Sequence, residues 1–306
     1  MQIRSIMDGI LIIDKPAGIT SHDVVARVRR ILKTKRVGHT GTLDPFATGV
    51  MVVLVGKATR LAQFLDKDEK EYEAVVRFGF ETDTGDRTGS PTSQVPSPKS
   101  LKLEDIYIIL DDFRGEIMQT PPMYSAKKID GKKLYEHARK GETVERKPIA
   151  ITIYELEVIS ELKATDFGLG TWDLGLEVAC SAGTYIRTLA EDIGRKVGVG
   201  AHLAELRRTR AGRFELLRSI TFEELEKLED PATALAPMAE AVEHLSFVTL
   251  TPDRAQKTMS GLSTRVSETQ FADGQPIRML DESENLIAVG FYEESEKSIR
   301  PKVVLV

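Results

Sequence analysis

Asp44 is the residue of this 306-residue chain whose neighbours are most suggestive of chemistry. It lies in "GHTGTLDPFATG", Gly38 to Gly49, where three glycines, three threonines, a histidine and a proline surround a single carboxylate. The apolar run Val50–Val55 follows at once. Asp and Thr side chains also cap turns and helices, so the loop alone admits a structural reading. The density of turn-forming residues favours another. Glycines permit close backbone approach and positive φ, and Pro45 stiffens the residue after the acid. Such a loop suits a carboxylate held at a fixed angle in a cleft, as nucleophile or general base.

Other chemistries find less support. His22, His39, His137, His202 and His244 are scattered, with no helical pair and no cysteine partner, so no metal site is expected. "KVGVGAHLAEL" has Leu203 in place of the third glycine of a dinucleotide loop. No Walker-type phosphate loop occurs, and "CSAGTY" lacks the Gly-x-Ser-x-Gly elbow of serine hydrolases. The single cysteine, Cys180, excludes an internal disulfide and a cysteine-pair zinc site. A reducing cytoplasm is the expected location.

The elements that must position Asp44 can be read from periodicity. "GILIIDKPAGIT" is a short apolar strand closed by a Lys-Pro turn. Ser21 is expected to cap a helix with Asp23 in its first turn and Val24, Val25, Val28, Ile31 and Leu32 on one face. "KATRLAQFLDKD" reads as a second short helix, and Lys70–Phe80 alternates as a strand with Tyr72, Ala74, Val76 and Phe78 on one side. Residues 101–113 are expected to be helical, 150–158 and 171–180 to be strands, and "GTYIRTLAEDIGRKV" to enter a helix from a glycine turn. "DPATALAP" marks a junction, dividing the chain into residues 1–236 and a small β-rich domain at 237–306. With 41% hydrophobic residues the chain can bury a large core, and no apolar run is long enough to span a membrane.

The net charge of −5 hides an asymmetry. Residues 1–60 carry ten Lys and Arg, Lys15 among them, against four acids. Residues 127–147 carry eight against four, whereas from Glu240 onward eleven acids face seven basic residues. A polyanion could therefore sit on one side of the molecule.

"GHTGTLDPFATGVMVV" resembles the catalytic motif of pseudouridine synthases, and specifically of the bacterial TruB family, which acts on the T-loop uridine of tRNA. "LIIDKPAGITSHDVV", "KEYEAVVRFGFETDTGD", "QTPPMYSAKKIDGKKLYEHARKGE", "CSAGTYIRTLAEDIG" and "GAHLAELRRTRAGRF" resemble the same family in its order, covering residues 9–214 nearly continuously. Beyond Leu235 the likeness is a general one to a small PUA-like RNA-binding β-domain. The resemblance implies an α+β fold. Its catalytic domain would have a mixed, largely antiparallel central sheet with flanking helices, followed by that β-domain.

It also implies roles. Asp44 would be the attacking carboxylate in a reaction that breaks the N1–C1′ bond, turns the uracil and rejoins it through C5. No cofactor is implied. Tyr72 would stack on the base and remove the C5 proton, and Arg187 would pair with Asp44 and keep it ionised. Tyr185 and Leu206 would wall the uracil pocket, and His39 would contact the RNA beside the flipped nucleotide. Lys127, Lys128, Lys132, Lys133 and Arg139, in a basic segment over about residues 120–150, would clamp phosphates, with Arg207, Arg208 and Arg210 nearer the pocket. The expected partner is the T-loop and stem of tRNA, bound by a monomer with no obligate protein partner and no membrane. Two features depart from the family pattern: Arg87 stands where a smaller or acidic residue is expected, and the C-terminal domain is acidic.

Three alternatives stay open at this level. One is a noncatalytic RNA-binding protein or tRNA-folding chaperone, against which Asp44, Tyr72 and Arg187 argue. Another is a related synthase acting on ribosomal RNA through a guide complex. The third is a glycosidase, which would need a second acid that none of the motifs supplies.

Overall fold

The computed structural model describes residues 7–65, 68–93, 101–125, 127–129, 131–138, 140–142, 144–165, 170–266 and 271–305. Its centre is a sheet built from β1 (Gly9–Lys15), β2 (Val37–Thr40), β3 (Thr48–Val55), β4 (Lys70–Phe78), β5 (Gly115–Gln119), β6 (Ile149–Val158), β7 (Trp172–Cys180) and β8 (Ala201–Ala211). The spatial order is β1-β3-β8-β4-β7-β6-β5, with β2 also on β3. Every pairing is antiparallel except β3 with β8, where Thr48 and Gly49 lie beside Arg207 and Arg208. The mixed, largely antiparallel sheet that the family resemblance implies is therefore present.

Hydrophobic pattern explains which faces are covered. β4 alternates: Tyr72, Ala74, Val76 and Phe78 are buried against α2 (Leu103–Leu110) and α3 (Ile186–Val197), while Glu71, Glu73 and Arg77 point the other way. From Val50 onward β3 is an unbroken apolar run because both its faces are buried. Met51, Val53 and Val55 meet Val24, Val25 and Val28 of α1 (Ser21–Ile31). Val50, Val52 and Leu54 meet Ala58 and Leu61 of a 3-10 helix, Gly56–Phe64, where an α-helix was expected.

The cap of α1 also differs from expectation. Thr20, not Ser21, caps it, in a reciprocal box with Asp23. Both residues can cap, but only Thr20 stands three positions before an acid. Ser21 is thereby released for another task, described below.

The exposed edge of β1 is closed by the segment after β8. Asp14 N–H donates to the Ile220 carbonyl, and Ile10 and Ala236 exchange a pair of backbone hydrogen bonds. A second, five-stranded sheet follows, made of Phe247–Thr249, Thr264–Arg265, Pro276–Leu280, Leu286–Glu293 and Ser298–Val304. One of its faces encloses Ile277, Met279, Ile287 and Ile299. Leu280, Leu286, Val289 and Val303 join Ile10, Val50 and Val52 of the central sheet in one core, so the two sheets share apolar packing.

Candidate active site

The loop between β2 and β3 holds Asp44, and buried polar groups fix its backbone. Ser21 Oγ donates to the Leu43 carbonyl at 3.0 Å and accepts from Leu43 N–H at 2.9 Å. Lys15, fully buried at the end of β1, donates through Nζ to the carbonyls of Pro16, Pro45 and Ala47 at 3.1, 3.2 and 2.6 Å. Burial lowers the Lys15 ammonium to about 8, partly opposed by Asp44. Gly49 adopts φ +99°, and a Cβ there would stand 2.2 Å from the Arg208 carbonyl oxygen, so only glycine fits where β3 meets β8. Gly38 needs no such freedom; it is an ordinary residue of β2.

Asp44 faces Arg187 of α3. Arg187 Nε stands 2.9 Å from Asp44 Oδ2, and Nη2 donates to Oδ1 at 3.4 Å. The same guanidinium donates to the carbonyls of Thr84 and Tyr124 at 2.8 and 2.7 Å, and Nη1 lies 3.6 Å from Asp86 Oδ2. Asp86 is itself held by Thr84 and Thr88, whose hydroxyls donate to its Oδ1 at 3.0 and 2.5 Å.

Arg187, expected to pair with Asp44 and keep it ionised, does act to lower the pKa of the carboxyl, but it is not the largest influence there. Burial pushes the Asp44 carboxyl above the usual carboxylate range, and Arg187 only partly reverses this while Asp86 adds to it. The carboxylate remains about a third open to the cleft.

That cleft has a volume of about 270 Å³ and is lined by Asp44, Tyr72, Tyr185, Arg187, Leu206 and Arg208, among others. Five of the residues singled out for chemistry or base contact thus converge. Tyr72 is buried on β4 and lines the cleft together with Arg208. Burial raises its pKa, with Arg208 opposing, so it stands in the cleft as a phenol. Burial likewise raises the Tyr185 phenol.

His39 is not among the lining residues. It packs edge-on against His22 with centroids 5.9 Å apart, and burial lowers its basicity, with His22 and Arg208 contributing.

Arg207 and Arg208 of β8 separate by strand parity, and an irregularity between Arg208 and Arg210 puts Arg210 opposite Glu71. Arg208 points inward, is 1% exposed, and donates to the carbonyls of Val50 and Gly41 at 2.7 and 2.9 Å. It was expected on RNA phosphates; buried in the fold, it instead supports the Asp44 loop. Arg207 points outward and forms a two-pronged pair with Asp14 at 3.2 and 2.7 Å. Arg210 pairs with Glu71 and donates to the Gly212 carbonyl. Both sit in ion pairs within the chain, not as uncommitted phosphate contacts.

In the basic segment, Lys128–Ile129 and Lys132–Lys133 form a small hairpin around Gly131. Lys132 is exposed and Lys127 half-buried. Arg139 lies outside the described residues, as do the side chains of Lys128 and Lys133. Arg87 carries its guanidinium 6.0 Å from the Phe46 ring centroid, beside the loop. A larger cleft, about 540 Å³, is lined by Glu73, Asp173, Glu205 and Arg207 on the outward side of the same strands. Arg207 is paired there with Asp14, and Asp173 with Arg77. Among the described residues no cluster of His, Cys, Asp or Glu could hold a metal ion, and no helix is long and apolar enough to cross a membrane.

Sequence reasoning missed Lys15, Asp86 and the loop-holding role of Ser21. Lys15 was counted among surface charges; its position at the end of the apolar strand "GILIIDK" was the available sign of burial.

Comparison with known proteins identifies the scaffold. A family model described as TruB family pseudouridylate synthase (N-terminal domain) matches residues 29–186. One for the tRNA pseudouridylate synthase B C-terminal domain matches residues 187–245. The chain is 39% identical to tRNA pseudouridine synthase B of Bacillus subtilis over 305 residues, 98% of each protein. It is 50% identical to that of Solibacter usitatus over 222 residues, 72% of this chain and 73% of the relative. Among solved structures, a chain from an H/ACA ribonucleoprotein bound to a substrate RNA containing 2′-deoxyuridine superposes with a TM-score of 0.73 at 27% identity. That match covers 98% of this chain and 86% of the other. With the Asp44 loop, Tyr72 and Arg187 in one cleft of a mixed sheet, the chain belongs to the TruB family of pseudouridine synthases.

Proposed function

We propose that this protein isomerises uridine to pseudouridine in the T-loop of tRNA, with Asp44 as the nucleophile. The observation that carries the reading is the Asp44–Arg187 pair at the bottom of a cleft walled by Tyr72, Tyr185 and Leu206. A cleft of about 270 Å³ takes a single flipped nucleotide. Asp44 attacks the uridine, the N1–C1′ bond breaks, the uracil turns, and C5 bonds to C1′. The C5 proton leaves and N1 gains one, so atoms balance and no redox partner enters.

Arg187 holds the charge of Asp44 through the reaction. Tyr72, a buried phenol, offers its ring as the stacking platform, and its oxygen takes the C5 proton only in concert with releasing its own. One carboxylate suffices because the departing base returns as the nucleophile and no water attacks. On this reading the basic hairpin and the helical turn at Leu134–Ala138 grip the T-arm backbone, with Lys127 and Lys132 on phosphates. The five-stranded C-terminal sheet is assigned as a PUA-like RNA-contacting domain starting near residue 237. On this reading the protein acts as a cytoplasmic monomer on tRNA without a protein partner.

Incubation with an unmodified tRNA transcript, followed by carbodiimide-stop mapping, tests the activity. A new stop at the T-loop uridine is expected with the wild-type chain and none with Asp44→Asn. Absence of the wild-type signal would sink the reading, and wild-type turnover by Asp44→Asn would remove the nucleophile.

A further inference from the structure

Gln119 ends β5 and is 1% exposed. Both ends of its side-chain amide engage one residue: Nε2 donates to the Tyr185 carbonyl at 3.0 Å, and Oε1 accepts from Tyr185 N–H at 2.8 Å. The amide thereby reproduces one rung of an antiparallel ladder between segments 66 residues apart. Tyr185 is the N-cap of α3, in extended conformation at φ −103°, ψ 103°, and no side chain caps the helix there. Its carbonyl also accepts the first helical hydrogen bond, from Leu189.

Two groups of the site project from this point. The Tyr185 ring walls the cleft, and Arg187, two residues on, reaches Asp44. Five residues beyond Gln119, the Tyr124 carbonyl accepts from Arg187. The end of β5 and the segment after it therefore fix the start of α3 twice, Gln119 through the Tyr185 backbone and Tyr124 through the Arg187 guanidinium.

We infer that Gln119 is a positioning residue for the isomerisation, setting through the Tyr185 backbone the angle at which Tyr185 and Arg187 meet Asp44 and the flipped base. The inference rests on the proposed site. Glutamine is singular here: it supplies a donor and an acceptor on one planar group at the right reach. Asparagine is one methylene short. Methionine fills the volume but leaves the Tyr185 N–H without its partner. Glutamate keeps an acceptor for Tyr185 N–H but turns an oxygen toward the Tyr185 carbonyl, and only its protonated form restores a donor.

The test compares wild type, Gln119→Met and Gln119→Glu for kcat, KM and tRNA binding across pH, each rate divided by the wild-type rate at the same pH. Gln119→Met is expected to lose roughly 30-fold in kcat, with tRNA affinity within about threefold, as a misplaced site does. Gln119→Glu is expected to match that loss at high pH and to recover toward wild type as pH falls and the buried carboxyl protonates. A loss through general destabilisation would not recover in this way. Parallel pH ratios for the two variants, turnover within about threefold of wild type in both, or a loss of binding equal to the loss of turnover would overturn the assignment. If Gln119→Met fails to fold, the Gln119→Glu ratio decides alone. Asp44→Asn is run alongside: retention of its turnover would remove the proposed site, whereas a flat Gln119→Glu ratio beside an inactive Asp44→Asn removes only the role of Gln119.

Discussion

Arg187 Nε stands 2.9 Å from Asp44 Oδ2, yet the Asp44 carboxyl is held above its ordinary range. Burial is the larger influence, Arg187 opposes it, and Asp86 adds a like charge. The nucleophile must be ionised, so turnover should fall as pH drops through this raised value, and the acid limb should lie above that of a free aspartate. Arg187→Gln removes the opposing cation. It should move the limb of the residual activity further up and cut kcat by at least about 100-fold. An Arg187→Gln limb at or below the wild-type position would break the link between the pair and the acidity of Asp44.

Lys15 gives a second pH signature, this time in stability. Its folded-state value is lowered to about 8 from 10.5. Between those values the unfolded chain holds a proton that the native chain has lost, so stability rises with pH across that window. The slope from one such group reaches about 1.4 kcal/mol per pH unit. Below pH 8 the ammonium is charged in both states and its contribution is constant. Lys15→Met should lack the slope when denaturant midpoints are compared with wild type from pH 8 to 10. It should also lose at least about tenfold in turnover, because the Pro45 and Ala47 carbonyls flanking Asp44 lose their common donor. Equal slopes in the two proteins would place the titration elsewhere.

How far the sequence carried this site follows from which cues were local. The Asp44 loop and the alternation of β4 are written in neighbouring residues, and both appear where the pattern put them. β8 was not read as a strand, because "AHLAELRRTRA" is dense in charge and its pairing partners, β3 and β4, are far away in sequence. Once it lies in the sheet, parity alone sends Arg208 inward and Arg207 outward, a distinction that composition cannot make. Lys15 and Arg208 mislead for a common reason: a charge reads as surface until the carbonyls it satisfies are known. Gln119 carries no local signal at all, since its partner is 66 residues away.

The junction of β3 and β8 is closed to any side chain at position 49. A Cβ on Gly49 would lie 2.2 Å from the Arg208 carbonyl oxygen and 2.8 Å from its nitrogen, on a backbone at φ +99°. Both neighbours are strand backbone and cannot move aside separately. Gly49→Ala should therefore cost more than about 2 kcal/mol in denaturant unfolding. Gly18→Ala offers a control: its φ of +88° is also positive, but a Cβ there meets nothing within 4 Å. The second change should cost clearly less than the first. Equal losses would assign the cost at Gly49 to φ alone and not to the contact with Arg208.

Phosphate contacts should be separable from chemistry in the hairpin that precedes residues 134–138. Lys132 is exposed there, and no salt bridge is formed by it among the described residues. Arg208, by contrast, is buried on carbonyls beside Asp44. Replacing a lysine that neutralises one phosphate removes about one released counterion, so the slope of log K against log salt should shrink by about 0.7 to 0.9. Lys132→Ala should show that change with single-turnover rates at saturating tRNA close to wild type. Arg208→Met should do the reverse, lowering the saturated rate while leaving the salt slope unchanged, because its charge never reaches the RNA. If Arg208→Met flattens the salt slope as much as Lys132→Ala does, the inward placement of Arg208 does not hold in the complex with tRNA.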